Sequence, residues 1–406
     1  MSTAARRTTT LVLVGLVLLS FNLRPTAVSV GPVLAEVRAS FSMSGPAAGL
    51  LTALPVIAFA VFGALAPAAA RRIGIHRVTL VAILAAVAGL VGRVLTASEP
   101  VFLLLSLLAL GGMAMANVLL PSLVKLHFPD RIGRVTAIYT TALAIGLTAA
   151  LVLTVPISDA GNGWRTGLGA WAVLAVLAAV PWVALIAHDR HLERAPRSIT
   201  FGQVARTPLG LAMAAFFGVQ SLQAYAVFGW FSQLWRDSGY TPAVAGLLAG
   251  LVAGASIPLS LWLPNVLARS DDPRRVMFAV IAAYPVGYVG LMVAPHSLAP
   301  LWALAVGIGT VTFPLILTLI GLRARTPEGT AALSAFTQST GYLLAATGPF
   351  LVGVLHTATG GWTVPLAFLL VMALPLFALA AYVGRPLFVE DQLAARSADT
   401  AEAARR

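Results

Sequence analysis

Long apolar runs separated by short polar segments make up most of this chain. Twelve runs reach the length of about 20 residues that a helix needs to cross a bilayer. The predicted spans are residues 11–35, 46–70, 77–97, 101–125, 133–156, 165–187, 209–234, 242–267, 275–294, 299–322, 330–356 and 363–383. The pattern predicts an all-α membrane protein. It has a six-helix bundle over residues 1–187, a polar cytoplasmic linker over 188–207, and a second six-helix bundle with a short cytoplasmic tail over 208–406.

Composition and charge support a membrane-embedded chain. Of the 406 residues, 59% are hydrophobic and 10% are charged, and the mean hydropathy is +0.91, which is too apolar for a soluble domain. With the N-terminus placed inside, 21 of the 26 basic residues fall in cytoplasmic segments and three fall outside. This bias predicts that both termini lie on the cytoplasmic side of a bacterial inner membrane. It also explains the net charge of +12 without a nucleic-acid partner.

The two halves repeat each other at a nearly constant offset. Gly49-Leu50-Leu51 in span two matches Gly246-Leu247-Leu248 in span eight, 197 positions later. Gly112 in span four matches Gly309 in span ten at the same offset. A parallel duplication of six-helix halves is the plan of the major facilitator transporters, which hold their substrate near the bilayer midplane between the halves.

Several short segments form a recognisable set of motifs along the chain. They are Asn22-Leu23-Arg24-Pro25, Ser29-Val30-Gly31-Pro32, Leu51-Thr52-Ala53-Leu54-Pro55, Gly92-Arg93, Pro121-Ser122-Leu123-Val124-Lys125, Phe313-Pro314-Leu315 and Gln338-Ser339-Thr340-Gly341-Tyr342. This set resembles the cyanate porter and 2-nitroimidazole transporter family of the major facilitator superfamily, and the first-helix motif is its most specific part. The resemblance implies transport of a small anionic or nitro-bearing solute. Cyanate, a nitroheterocycle and a small carboxylate all remain open.

Arg24 is the strongest candidate for binding that solute. It lies thirteen residues after Leu11, and a rise of about 1.5 Å per residue places it roughly 20 Å into a hydrocarbon core about 30 Å thick. Charge at that depth is costly and marks a functional site by default. A guanidinium offers a planar fork of donors suited to carboxylate-like or nitro-like oxygens. The alternative is a structural arginine bonded to backbone carbonyls beside Pro25.

Neutral polar residues within the spans are few, and we expect them to line the same cavity. The predicted substrate-binding set is Arg24, Asn22, Asn117, Tyr139, Gln220, Gln223, Thr312, Ser334, Gln338 and Tyr342, with Thr310 as a further lining residue. Such residues also hold helices together by hydrogen bonds, which is the alternative role for each.

Three further residues are candidates for a gate or for attraction of the solute, and each has a simpler explanation. Arg93, near the outer end of span three, can snorkel to the interface. Lys125, at the cytoplasmic end of span four, follows the inside-positive rule. Trp230 and its neighbour Phe231 fit the interfacial aromatic belt.

The positions of the acidic residues limit the coupling mechanism. All 14 fall at or outside the predicted span ends, so no buried carboxylate is expected to carry a proton. Arg71 also stands where the general superfamily loop carries an Asp, and span five lacks the Gly-Pro motif of drug–proton antiporters. Proton-coupled efflux of drugs or toxic compounds is therefore the alternative function.

An enzyme would need a buried acid–base or metal constellation, which the spans do not provide. No cofactor or metal is expected. The chain is expected to act as a monomer.

Overall fold

The computed structural model describes residues 3–128, 131–186, 199–270 and 272–403. Within these ranges the chain forms helices and no strand. The helices are α1 (Thr3–Val28), a 3-10 turn (Gly31–Val33), α2 (Leu34–Phe41), α3 (Gly45–Ile73), α4 (Ile75–Leu95), α5 (Glu99–His127), α6 (Ile132–Ala160), α7 (Trp164–Leu185), α8 (Phe201–Val204), α9 (Pro208–Asp237), α10 (Pro242–Arg269), α11 (Pro273–Val293), α12 (Ala299–Gly309), α13 (Thr312–Leu322), α14 (Pro327–Ala345), α15 (Thr347–Thr359), α16 (Thr363–Val383) and α17 (Val389–Ala403).

The prediction of an all-α fold with twelve membrane spans is confirmed. Within the described ranges, twelve helical segments are long and apolar enough to cross a bilayer, and each overlaps a predicted span. The predicted end of the first span at residue 35 is wrong, because the helical segment continues to Phe41. Glu36 therefore lies inside the last turns of this span and not beyond it. Residues 188–198 of the predicted linker lie outside the described residues.

The first span is interrupted between α1 and α2. The backbone N–H of Ser29 still donates to the Pro25 carbonyl at 3.0 Å, but Pro32 has no N–H with which to continue the helical ladder. The chain tightens into a 3-10 turn, in which the N–H of Val33 donates to the Val30 carbonyl at 3.1 Å. The α2 helix then ends at Ser42, which adopts a left-handed conformation with φ 51°. Arg24 and Glu36 consequently lie on two separate helical segments.

The chain folds into two compact units. Unit 1 contains residues 1–193, 226–254 and 349–360, and unit 2 contains 194–225, 255–348 and 361–406. In unit 1, apolar side chains of α1, α4, α5, α6 and α7 form a continuous core that includes Leu16, Leu23, Ile83, Leu90 and Trp182. In unit 2, α11 packs against α12 and α16.

The duplicated glycines make equivalent close contacts in the two halves of the sequence. A Cβ added to Gly49 of span two would lie 2.7 Å from the carbonyl oxygen of Phe350 in span eleven. One added to Gly246 of span eight would lie 2.8 Å from the carbonyl oxygen of Leu151 in span five. Both contacts lie within unit 1. The repeat in the sequence therefore marks a repeated backbone approach that a larger residue would prevent.

Candidate functional site

Arg24 lies on the accessible face of α1. The buried face of this helix, with Leu16, Leu19 and Leu23, packs into the core of unit 1. Arg24 is half-buried on the other face. Phe21, which lies three residues earlier on the same face, is also half-buried. No hydrogen bond or ion pair joins its guanidinium to any residue that the structure describes. Its charge therefore has no partner among the described residues.

The helix that carries Arg24 is held in place by its neighbours on both sides. The Nδ2 of Asn22 donates to the Trp171 carbonyl of α7 at 3.1 Å, and Thr26 Oγ1 donates to the backbone carbonyl of Asn22 at 3.1 Å. On α6, a Cβ at Gly146 would lie 2.1 Å from the Phe21 carbonyl oxygen, so a glycine is needed for this approach. Asn22 is fully buried. This geometry favours the structural alternative for Asn22, whose side chain ties α1 to α7.

The other candidates of unit 1 differ in accessibility. Asn117 of α5 is half-buried and forms no hydrogen bond to a described residue. Tyr139 of α6 is buried at the edge of the apolar core. Lys125 belongs to α5, but its side chain lies outside the described part of the chain. Asn117 is therefore, like Arg24, a polar side chain without a partner among the described residues.

Two candidate glutamines of unit 2 are buried, and they differ in how many atoms of the side-chain amide have a hydrogen-bond partner. Gln223 donates from Nε2 to the Leu369 carbonyl at 2.8 Å and accepts at Oε1 from the Tyr288 hydroxyl at 2.7 Å. Its two partners lie on α16 and α11, so Gln223 joins three helices. Gln220 donates to Ser221 Oγ at 2.6 Å, while its Oε1 has no partner among the described residues. Gln223 thus fits the alternative role of joining helices, and Gln220 retains a free acceptor.

The predicted stripe on span eleven lies on α14 in unit 2. Gln338 donates to Ser334 Oγ at 2.7 Å, and both side chains are half-buried. Tyr342 is buried against the rings of Phe217 and Tyr225, with ring centroids 4.9 and 6.4 Å away. The structure therefore brings Ser334 and Gln338 together and places Tyr342 in an aromatic cluster.

The two threonines of span ten cap the break between α12 and α13. Thr310 Oγ1 donates to the Gly307 carbonyl at 2.6 Å, and Thr312 Oγ1 donates to the Gly309 carbonyl at 2.8 Å. Both residues are buried. Both hydroxyls satisfy carbonyls of the last turn of α12, at the break, which favours a structural role over the predicted lining role.

Two simpler explanations are wrong: that Arg93 snorkels to the membrane interface, and that Trp230 belongs to the interfacial aromatic belt. Arg93 is 0% exposed, so it does not snorkel to an interface, and its Nε and Nη2 have no partner among the described residues. Trp230 is also fully buried and donates from Nε1 to the Pro349 carbonyl at 2.9 Å. Neither side chain reaches the surface of the protein. Hydropathy gives depth along the helix but not the direction in which a side chain points, so the sequence could not distinguish these cases.

One feature of unit 1 was not predicted from the sequence: an ion pair where α2 meets the C-terminal turns of α9. We call this end of unit 1 the α2 end. There the two Nη atoms of Arg236 bind the two carboxylate oxygens of Glu36, at 2.7 and 2.6 Å. The only signal in the sequence is a pair of opposite charges at the ends of spans one and seven, and the placement of Glu36 beyond the span hid it.

Titratable groups are sparse in the described spans. The acids there are Glu36, Glu99, Asp159 and Asp237, and each lies within about two turns of a span end. In the same part of the chain, no group of three or more His, Asp or Glu residues could hold a metal ion. The described spans therefore contain mainly arginines and neutral polar side chains, together with the buried His76, whose Nε2 lies 2.8 Å from that of His127.

Comparison with known proteins agrees with a membrane protein built from twelve helical spans. The family model described as Major Facilitator Superfamily matches residues 11–337. The chain is 35% identical to the 2-nitroimidazole transporter of Escherichia coli (strain K12) over 376 residues, which is 91% of this chain and 94% of that protein. It is 28% identical to the cyanate transport protein CynX of the same organism over 358 residues, 87% and 92% of the two chains.

Among solved structures, a bacterial homologue of the human lysosomal transporter Spinster superposes with a TM-score of 0.76 at 16% identity. The match covers 97% of this chain and 99% of that one. At this identity the likeness concerns the fold alone. The two sequence relatives confirm the resemblance to the cyanate porter and 2-nitroimidazole transporter family.

Proposed function

We propose that this chain, which belongs to the Major Facilitator Superfamily, carries a small anionic or nitro-bearing solute across the bacterial inner membrane by alternating access. Arg24 binds the solute, and the chain works as a monomer. The asymmetry of basic residues supports an orientation with both termini in the cytoplasm. In that orientation the α2 end of unit 1 faces the outside.

The unpaired guanidinium of Arg24 is the observation that carries this proposal. A half-buried arginine deep in a membrane span needs a counter-charge, and no residue that the structure describes supplies one. A solute with two terminal oxygens, such as a carboxylate or a nitro group, can accept two parallel N–H bonds from a guanidinium. The names of the two relatives, a 2-nitroimidazole transporter and a cyanate transport protein, fit small solutes with strong acceptors.

The coupling follows from the same chemistry. The described acids of the spans lie near span ends, so none is placed to carry a proton at mid-depth. The charge of the solute itself, or exchange of one anion for another, then drives or accompanies transport. This mechanism distinguishes the proposal from proton-coupled drug efflux, for which a membrane carboxylate is the usual carrier.

The direct test measures solute binding and transport in Arg24 variants. Purified protein is screened by thermal shift against cyanate, 2-nitroimidazole and small carboxylates, and uptake of the best ligand is then measured in proteoliposomes. Arg24→Ala should abolish both the shift and saturable uptake. Arg24→Lys should restore them only in part, because an ammonium lacks the planar fork.

Arg38→Ala is the matched control, because Arg38 is also a half-buried arginine of span one but lies on α2. It should retain ligand binding and uptake. Wild-type uptake by Arg24→Ala, at equal expression, would contradict the assignment of this residue.

A further inference from the structure

A bidentate ion pair ties two different spans together at the α2 end. Arg236 is the next-to-last residue of α9, and Glu36 lies in α2. In addition to the two N–O contacts of 2.6 and 2.7 Å, Arg236 Nη1 donates to the Pro32 carbonyl at 3.4 Å. Side-chain exposure is 19% for Arg236 and 39% for Glu36, so the pair is partly withdrawn from water. Fork-to-fork geometry of this kind is stronger and more directional than a single contact.

The backbones beneath the ion pair approach each other closely. A Cβ at Gly31 would lie 2.4 Å from the Phe228 carbonyl oxygen of α9, and one at Gly229 would lie 3.0 Å from the Thr52 Cβ of α3. Ser232, which lies three residues after Gly229 and four before Arg236 on the same face of α9, is 1% exposed. The ion pair is therefore the partly exposed edge of the contact between α9 and the first span, and the residues below it are tightly packed and buried.

The Glu36 side of the ion pair belongs to α2, a helical segment that is separate from α1. The 3-10 turn that contains Gly31 and Pro32 divides the first span, and α2 carries Glu36 on the far side of it. Helix interruptions of this kind are the points at which a span can bend. Breaking the ion pair would release α2 from α9 without requiring α1 to unfold.

We propose that Glu36 and Arg236 form a latch that holds the α2 end closed during the transport cycle, with the 3-10 turn as the hinge on which α2 moves. The latch rests on the proposed function in one respect, namely that alternating access requires this end to open. It does not depend on Arg24 or on the identity of the solute. Opening separates Arg236 from Glu36 and exposes Ser232.

The chain contains no cysteine, so a single introduced cysteine can report this opening. In a Ser232→Cys background, reaction with a membrane-impermeant maleimide on intact cells measures how often the α2 end opens. Asn162→Cys is the positive control, because Asn162 is exposed between α6 and α7. Ser106→Cys, at a fully buried site of α5, is the negative control.

Glu36→Gln removes the charge while keeping the shape of the side chain. It should raise the labelling rate of Ser232→Cys about fivefold, the factor that corresponds to about 1 kcal/mol for a pair of this exposure. Arg236→Lys should give a smaller increase, because charge remains but the fork is lost. The exchanged pair, Glu36→Arg with Arg236→Glu, should return the rate toward that of the parent.

Asp159→Asn is the matched control for loss of one carboxylate. Asp159 is exposed near the end of α6 and forms no hydrogen bond or ion pair with a residue that the structure describes. This variant should therefore label at the parent rate. Labelling of Asn162→Cys and the thermal unfolding temperature, measured for every variant, show that each protein is folded and inserted.

The outcomes separate the latch from the proposed function. Equal rates for Glu36→Gln and Asp159→Asn, or an exchanged pair as fast as Glu36→Gln, would overturn the latch. Loss of solute binding in Arg24→Ala with an unchanged effect of Glu36→Gln would support both ideas independently. Labelling of Asn162→Cys only in inverted vesicles would overturn the orientation on which the outward direction of the latch depends.

Discussion

The duplicated glycine of α10 gives a sharp test of the packing at the α2 end. Gly246 and Gly254 lie eight residues apart on the same helix, but their surroundings differ. A Cβ at Gly246 would meet the Leu151 carbonyl oxygen at 2.8 Å, whereas one at Gly254 would meet nothing within 4 Å. We expect Gly246→Ala to favour opening of the α2 end and Gly254→Ala to leave it unchanged.

The magnitude follows from the geometry. Van der Waals contact begins at about 3.5 Å, so α10 and α6 must separate by about 0.7 Å to accept the new methyl group. Overpacking of this kind costs about 1–3 kcal/mol. Replacing a helical glycine by alanine also gains about 1 kcal/mol, but this gain is the same in the closed and open states. The closed–open equilibrium should therefore shift by the steric cost alone, about 5- to 150-fold.

The assay is the labelling of Ser232→Cys by an impermeant maleimide, together with thermal unfolding. Gly246→Ala should label faster than the parent. Gly254→Ala should label at the parent rate and unfold at an equal or higher temperature. If the two alanine variants label at the same rate, the contact between Gly246 and Leu151 does not hold this end closed, and the reasoning is refuted.

Three other substitutions test single interactions by thermal unfolding. Gln223→Leu should cost about 1 kcal/mol, because it removes bonds to a tyrosine hydroxyl and a backbone carbonyl, while solute uptake persists; a selective loss of uptake would restore its predicted binding role. Burial of Glu390 opposes its ionisation, but N–H donors of Arg325 and Thr326 outweigh burial and hold the pKa of this carboxyl below its ordinary 4.5. Glu390 therefore stabilises the fold above pH 4.5, and this contribution is lost as the pH falls through the lowered pKa. Glu390→Gln should lower the unfolding temperature at neutral pH, by a difference that narrows below pH 4.5; a constant difference would contradict this. Arg93→Met should raise stability by about 1–4 kcal/mol, because it removes a buried charge whose Nε and Nη2 have no acceptor among the described residues; lower stability would show that Arg93 is paired.

The twelve spans could be predicted because each requires about 20 apolar residues, a signal that survives without any knowledge of packing. The end of the first span could not be placed in the same way. Glu36 and Arg38 lower the local hydropathy, so the apolar run stops at residue 35 although the helical segment continues to Phe41. These charges lie at an accessible end, where polar side chains do not interrupt a helix. Hydropathy therefore reports the apolar length of a span and not the length of its helix.

The polar residues of the spans could be found from sequence, but their roles could not be separated. The partners of Gln223 are 65 and 146 residues away, so nothing near it in the sequence indicates that both ends of its amide are occupied. The glycine repeat was visible from sequence, whereas its purpose required the distances from Gly49 and Gly246 to backbone oxygens on other spans. Long-range pairing is a property of the fold that residue type alone does not encode.

Two arginines within the spans of unit 1, Arg24 and Arg93, show why accessibility decides between a functional and a structural interpretation. Both lie in apolar spans. Arg24 has no hydrogen-bond partner among the described residues, and the Nε and Nη2 atoms of Arg93 have none there either. Arg93 is fully buried, so a solute cannot reach its guanidinium unless the bundle opens. Arg24 is half-buried, so its charge can be reached by a ligand that supplies the missing acceptor. Substitution should therefore separate them: loss of Arg24 removes binding with little effect on stability, whereas loss of Arg93 changes stability with little effect on binding.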